Sequence, residues 1–347
     1  LVYKAFKMGV KVWMDATCIN FVEDKKAKDK VVVIKDAQCF ARTGQAGGDQ
    51  LLSLSDNDAT EGSAVHEIGH VLGLFHTMER FDRDSYITIV EKNVKPQYID
   101  QFIKVDSSVA DVHGLSYDYG SVMHYNDLSF SANNLPTLIA KDPLYQKTMG
   151  SELISFSDIF VVNEHHGCNE KCNKFTSAKC ANGGFPHPRN CSVCICPSGY
   201  GGVLCDRRPS GCGEDLVATA EKQLVDMKLG FGSQLRDQYD FCHYMILVQM
   251  FDLGFFLVLE LKFHCIEAPK GRQIEVEVRS VSYGYDISGC VRGGVEIKAQ
   301  KDQRLTGYRF CSMSGSGIPV VSTSNSLPVI LFNRYCSMEV TFTYCFI

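Results

Sequence analysis

The segment His66-Glu67-Ile68-Gly69-His70-Val71-Leu72-Gly73-Leu74-Phe75-His76 constrains this chain more than any other. A helix returns to the same face every three to four residues, so His66 and His70 stack where both rings can reach a single ion. Glu67 lies one residue round and faces the ion's open side, the placement of a general base. Gly73 can adopt the left-handed backbone that ends a helix, and the returning chain then brings in His76 as a third ligand. Three imidazoles leave a fourth position for water, the layout of a site for one catalytic Zn2+ ion. Histidines scattered on an ordinary amphipathic helix would not require this spacing.

Some fifty residues later, Ser121-Val122-Met123-His124-Tyr125 has the form of a methionine turn beneath a metal site. With Arg80 and Asp82-Arg83-Asp84 after the third histidine, and Ala5, Trp13 and Thr17-Cys18-Ile19 upstream, the chain resembles the astacin family of metzincin proteases. The resemblance implies an α+β catalytic domain with zinc on His66, His70 and His76 and Glu67 as the base. It implies that Tyr125 is a switchable fifth ligand that steadies the oxyanion, with Gly73 and Met123 structural at the site. The reaction implied is peptide-bond hydrolysis by Glu-assisted attack of zinc-bound water. Leu74 stands where the family has Phe, and Thr77 where a Glu meets the amino terminus released on maturation. Residues 1–168 are expected to form an N-terminally incomplete protease domain, without its signal peptide, pro-segment and first strand. Val31 to Ile34 and Leu51 to Leu54 read as strands. By resemblance the second is the edge strand that receives an extended peptide.

A chain of 347 residues with 45% hydrophobic content is long enough for several packed modules. Cys172, Cys180, Cys191, Cys194, Cys196 and Cys205 enclose two Gly-rich turns, and six cysteines allow fifteen pairings. Residues 169–206 resemble an EGF-like module, which implies Cys172–Cys191, Cys180–Cys194 and Cys196–Cys205. A zinc ribbon over Cys191 to Cys196 is the rival reading, and it lacks a second knuckle. Family resemblance pairs Cys18 with Cys168, while Asp58 replaces the expected partner of Cys39, leaving Cys39 free or paired elsewhere. Sixteen cysteines point to disulfides and a secreted, extracellular protein. Asn190-Cys191-Ser192 is a weak glycosylation sequon. The net charge of -5, and a Lys25 to Lys30 run broken by Asp29, argue against a nucleic-acid partner.

From Cys212 the text changes to period-two runs, clearest in Ile274 to Val278 and Val295 to Lys298. Residues 212–347 resemble an all-β CUB sandwich, carried by Glu267-Ala268-Pro269-Lys270-Gly271, Gly293 to Lys298 and Thr306-Gly307-Tyr308-Arg309-Phe310-Cys311. The implied bridges are Cys212–Cys242 and Cys290–Cys311, with Cys336 and Cys345 paired together or free. The apolar run Met245 to Leu261 is too short for the roughly 20 residues of a membrane span, and Asp252 interrupts it. We expect no membrane span but an insertion near 245–265 that includes Cys265. Two functions are consistent with this multidomain chain. One is a secreted zinc endopeptidase acting on protein or peptide substrates, with extracellular matrix or cuticle proteins plausible by resemblance. The other is a catalytically inactive adhesion or binding protein that uses its EGF-like and CUB modules.

Overall fold

The computed structural model describes residues 1–248 and 272–347. The first helix, α1 (Val2–Ala16), buries Ala5, Gly9 and Trp13, a stripe with a four-residue repeat. At Gly9 a Cβ would lie 3.0 Å from Ala64 of the second helix, α2 (Glu61–Val71), so glycine permits the close crossing. The Trp13 indole N–H donates to the Val65 carbonyl of α2 at 3.0 Å, satisfying the one polar atom of a fully buried ring. Thr60 caps α2 by accepting the Ser63 N–H, while the Ser63 hydroxyl accepts the Thr60 N–H.

Three strands lie beside these helices: β1 (Lys30–Asp36), β2 (Phe40–Ala41) and β3 (Asp49–Ser55), in the order β1-β3-β2. Residues 51–54 therefore do not form the expected edge. β3 is central, parallel to β1 along its length and antiparallel to β2 through Phe40↔Ser53 and Ala41↔Leu52. The edges are β1 and β2, and the two residues of β2 are too few to show alternation in sequence. Gly44, Gly47 and Gly48, all at positive φ, turn the chain back between β2 and β3. Leu52 and Leu54 pack with Trp13 and Ile68 in one core.

A second, aromatic core gathers Met78, Phe102, Tyr117, Tyr119 and Tyr145 around the paired β4 (Ile87–Ile89) and β5 (Leu138–Ala140). Helix α3 (Phe156–His165) begins at a Ser155 cap, and the chain after it reaches Cys168, which is joined to Cys18 at the end of α1. Next come β6 (Phe185–His187) and β7 (Asn190–Ile195), with bridges Cys172–Cys191, Cys180–Cys194 and Cys196–Cys205. Every sulfur from Cys191 to Cys196 is thereby bonded, which removes the donors of the zinc-ribbon reading.

The last module is a sandwich. Its strands are β8 (Asp215–Ala218), β9 (Gln223–Leu229), β10 (Leu235–Val248), β11 (Ile274–Val281), β12 (Gly293–Ile297), β13 (Tyr308–Phe310), β14 (Pro319–Val321), β15 (Ser326–Tyr335) and β16 (Met338–Phe346). They form sheets ordered β13-β12-β15-β10-β8 and β14-β11-β16-β9, with bridges Cys212–Cys242 and Cys290–Cys311. The insertion expected near 245–265 does not begin at 245. Met245 to Leu247 pair with β15, and Met245 to Val248 with β8, placing Ile246 and Val248 in the core. The rest of that expectation, residues 249–265 with Cys265, lies outside the described residues. Among the described residues Cys39, Cys336 and Cys345 form no disulfide, and no helix is long and apolar enough to cross a membrane.

Candidate metal centre

Helix α2 carries His66 and His70 on one face and ends at Gly73, whose φ of 100° only glycine adopts readily. The chain reverses there and delivers His76. The His76 Nε2 lies 3.3 Å from His66 Nε2 and 3.1 Å from His70 Nε2. The outer nitrogens explain this convergence. His66 Nδ1 is 2.7 Å from the Val122 carbonyl and His70 Nδ1 is 2.8 Å from the Leu74 carbonyl. A carbonyl oxygen only accepts, so each Nδ1 carries the proton and each Nε2 presents a lone pair. Behind His76 stands Glu79, whose carboxylate is 3.6 Å from Nδ1 and accepts the His76 backbone N–H at 3.1 Å.

Lone pairs this close repel unless a cation lies between them. Zinc holds imidazole nitrogens at about 2.0–2.1 Å in a tetrahedron, which sets neighbouring donors roughly 3.3 Å apart. The observed spacings match that geometry, and these three histidines form the one such donor cluster among the described residues. Burial lowers the His66 pKa to about 4, with His76 adding to the effect, so the ring stays neutral as a ligand must.

Glu67 is buried, and its Oε2 has no hydrogen-bond partner. Burial, with Asp58 adding to the effect, pushes its carboxyl up to about 8. An orphaned, perturbed carboxylate beside three converging nitrogens is the signature of a group kept for chemistry. The Tyr125 ring centroid is 4.4 Å from that of His76, and its hydroxyl is held protonated, first by burial and then by Glu79 and Glu67.

Met123 lies beneath α2, where a Cβ on Gly69 would come within 2.9 Å of its sulfur. Its turn is held from below by Asp158 of α3, which accepts the Ser121 hydroxyl at 2.6 Å and the Val122 N–H at 2.9 Å. Met123 also returns a bond upward, its carbonyl accepting the Thr77 N–H at 3.1 Å. The structure thus gathers His66, Glu67, His70, Gly73, His76, Met123 and Tyr125 into one site. Sequence reasoning missed Asp158 and Glu79. Nothing local marks Asp158, whereas Glu79, three residues past the last histidine, was open to a search for a carboxylate backing a ligand. Arg83, noted only as part of the family signature, is buried and donates to the Met78 and Phe102 carbonyls at 2.7 and 2.6 Å, pinning the loop after His76.

Comparison with known proteins agrees with this geometry. Residues 2–167 match the family model described as Astacin, a family of peptidases. The zinc metalloproteinase nas-31 of Caenorhabditis elegans is 42% identical over 344 residues, covering 99% of this chain and 53% of its own length. The zinc metalloproteinase nas-25 of the same nematode is 34% identical over 354 residues, covering 99% of this chain and 83% of its own. Among solved structures, High choriolytic enzyme 1 (HCE-1), a hatching enzyme zinc-protease from Oryzias latipes, aligns at a TM-score of 0.45 with 28% identity, covering 48% of this chain and 82% of that one. A metal-binding peptidase fold with a histidine triad is the class these observations define. The chain belongs to the astacin family. It spans about half the length of nas-31.

Proposed function

We propose that this chain is a zinc-dependent endopeptidase acting on extracellular proteins. The observation that carries the reading is the convergence of three Nε2 lone pairs beside the unpartnered Glu67 oxygen. His66, His70 and His76 would hold the ion. Bound zinc supplies Lewis acidity, polarising the scissile carbonyl and making a water acidic near neutral pH. The protein supplies the rest. Glu67 takes a proton from the attacking water and returns it to the departing amine. The Tyr125 hydroxyl, kept protonated by its surroundings, donates toward the oxygen on which negative charge develops. The free edge of β2 offers backbone groups to an extended substrate, which selects for peptides held as a strand.

The module reading completes the proposal: an astacin-like unit over 1–168, an EGF-like unit over 169–206 and a CUB-like unit over 212–347. Three bridges within 34 residues support the second, and two antiparallel-rich sheets support the third. The disulfides favour an oxidising, extracellular setting, where matrix or cuticle proteins would be the substrates. A catalytically silent binding role draws no support from a site in which ligands and base are all in place. The test is zinc content together with cleavage of a quenched peptide library, run beside Glu67→Gln. Zinc in both and turnover only in the unmodified chain is expected. Equal turnover in the variant would refute the assigned base.

A further inference from the structure

The segment Thr306–Cys311 looked from sequence like ordinary sandwich text, yet it faces the protease-like unit. The Tyr308 hydroxyl donates to Asp142 at 2.8 Å, the Arg309 backbone N–H to the Thr148 hydroxyl at 3.1 Å, and the Arg309 guanidinium to the Ser151 hydroxyl at 2.7 Å. Thr306 is placed differently from these. Its N–H donates to Asp118 Oδ1 at 3.2 Å, the same oxygen that accepts the Gly120 N–H at 3.0 Å. The other oxygen of Asp118 accepts the Ser157 hydroxyl of α3 at 2.5 Å. The Thr306 side chain covers Gly120 so closely that a Cβ there would meet its Cγ2, Cβ and Oγ1 at 2.3 to 2.5 Å.

Gly120 is the residue before Ser121-Val122-Met123. Ser121 and Val122 are tied to Asp158, the Met123 N–H donates to the Ser121 hydroxyl, and the Val122 carbonyl fixes the Nδ1 of His66. The floor of the metal centre is therefore closed on its outer side by a residue of the third module, 188 positions away in sequence from the carboxylate it contacts. Both partners are buried, Asp118 and Thr306 alike, so water does not substitute for the contact. A module that served only as a spacer would need no such fit.

We infer that Thr306 is a positioning residue for the metal centre: by covering Gly120 and sharing Asp118, the third module holds the methionine turn, and through Val122 the first histidine, in register. This rests on the zinc-peptidase reading above. Loss of support to a metal ligand weakens metal binding as well as turnover, with effects of about 10–100-fold for partners of the ligands.

The test is a size exchange across the contact in the full chain. Three quantities are read: zinc affinity by competition with a chromophoric chelator, kcat and KM on a quenched peptide, and the thermal midpoint of the metal-free protein. Gly120→Ala is expected to weaken zinc binding and lower kcat by about tenfold or more, with KM within about twofold. Adding Thr306→Gly empties the space the new methyl needs and is expected to restore both to within about threefold. Tyr308→Phe breaks a junction bond that does not lead to the turn, so it should lower the thermal midpoint and leave zinc affinity and kcat unchanged. Gly120→Ala with unchanged zinc affinity and kcat, or a defect that Thr306→Gly does not relieve, overturns the inference. If Gly120→Ala is not secreted, Thr306→Gly alone decides. A loss of about fivefold in zinc affinity and kcat supports the role, and behaviour like Tyr308→Phe overturns it. An unmodified chain that neither binds zinc nor cleaves would instead sink the peptidase reading itself.

Discussion

Two buried carboxylates in this molecule have opposite surroundings. At the junction between modules, Glu296 accepts the Arg309 Nε–H at 3.0 Å, the Gly307 N–H at 3.0 Å and the Ser198 hydroxyl at 3.3 Å. Burial alone would raise its carboxyl, but Arg309 and Lys298 bring it below the ordinary range, so it stays charged. At the candidate metal centre, Glu67 is equally buried, yet one of its oxygens bonds to nothing, and its carboxyl is pushed up instead. A saturated charge fixes a structure. An unsaturated one, kept in place by the packing around it, is available to exchange a proton.

The contrast can be broken from either side. Glu67→Gln keeps the shape and removes the proton carrier, and a kcat loss of roughly 10²–10⁴-fold with zinc retained is expected from peptide cleavage. Arg309→Met removes the cation that donates to Glu296 in a dry site and leaves only Lys298 to offset its charge, and a cost of about 3–5 kcal/mol should register in denaturant unfolding. A weaker effect should come from His124, buried against the Tyr117 hydroxyl, whose pKa burial lowers to about 4. Its unfolded value is about 6.5, so below that pH the unfolded chain takes up the proton first. Stability should fall as pH drops from about 6.5 to about 4, by up to about 3 kcal/mol, and His124→Gln should flatten that slope. Thr60→Ala should be the mildest, costing about 1 kcal/mol of thermal stability through the α2 cap.

The metal centre was legible because its determinants are local. Two histidines four apart, a glycine at the helix end and a third histidine three residues on specify their own geometry. The methionine turn was found for the same reason. What supports it was hidden, since Asp158 and Thr306 reach it from other elements and no spacing rule connects them. The edge of the small sheet was misplaced because β3 carries the visible alternation while β2 is two residues long. In the last module, the run Val295 to Lys298 alternates apolar and charged residues, yet Glu296 and Lys298 are both buried. Both meet Ser198 of the preceding module, a fact no pattern within one strand contains. The strand through Val248 was cut short because continuous apolar residues there resembled an inserted segment more than an interior strand of a sandwich.

The Cys18–Cys168 bridge joins positions 150 residues apart and so turns the astacin-family unit into a covalent ring. In the protease role proposed above, the molecule meets its own kind in solution, and its surface loops are natural places to be nicked. One cut anywhere between those two sulfurs opens the backbone without releasing a fragment. Such a molecule would migrate as a single species until reduced, and its ageing would be visible only after the thiol is added.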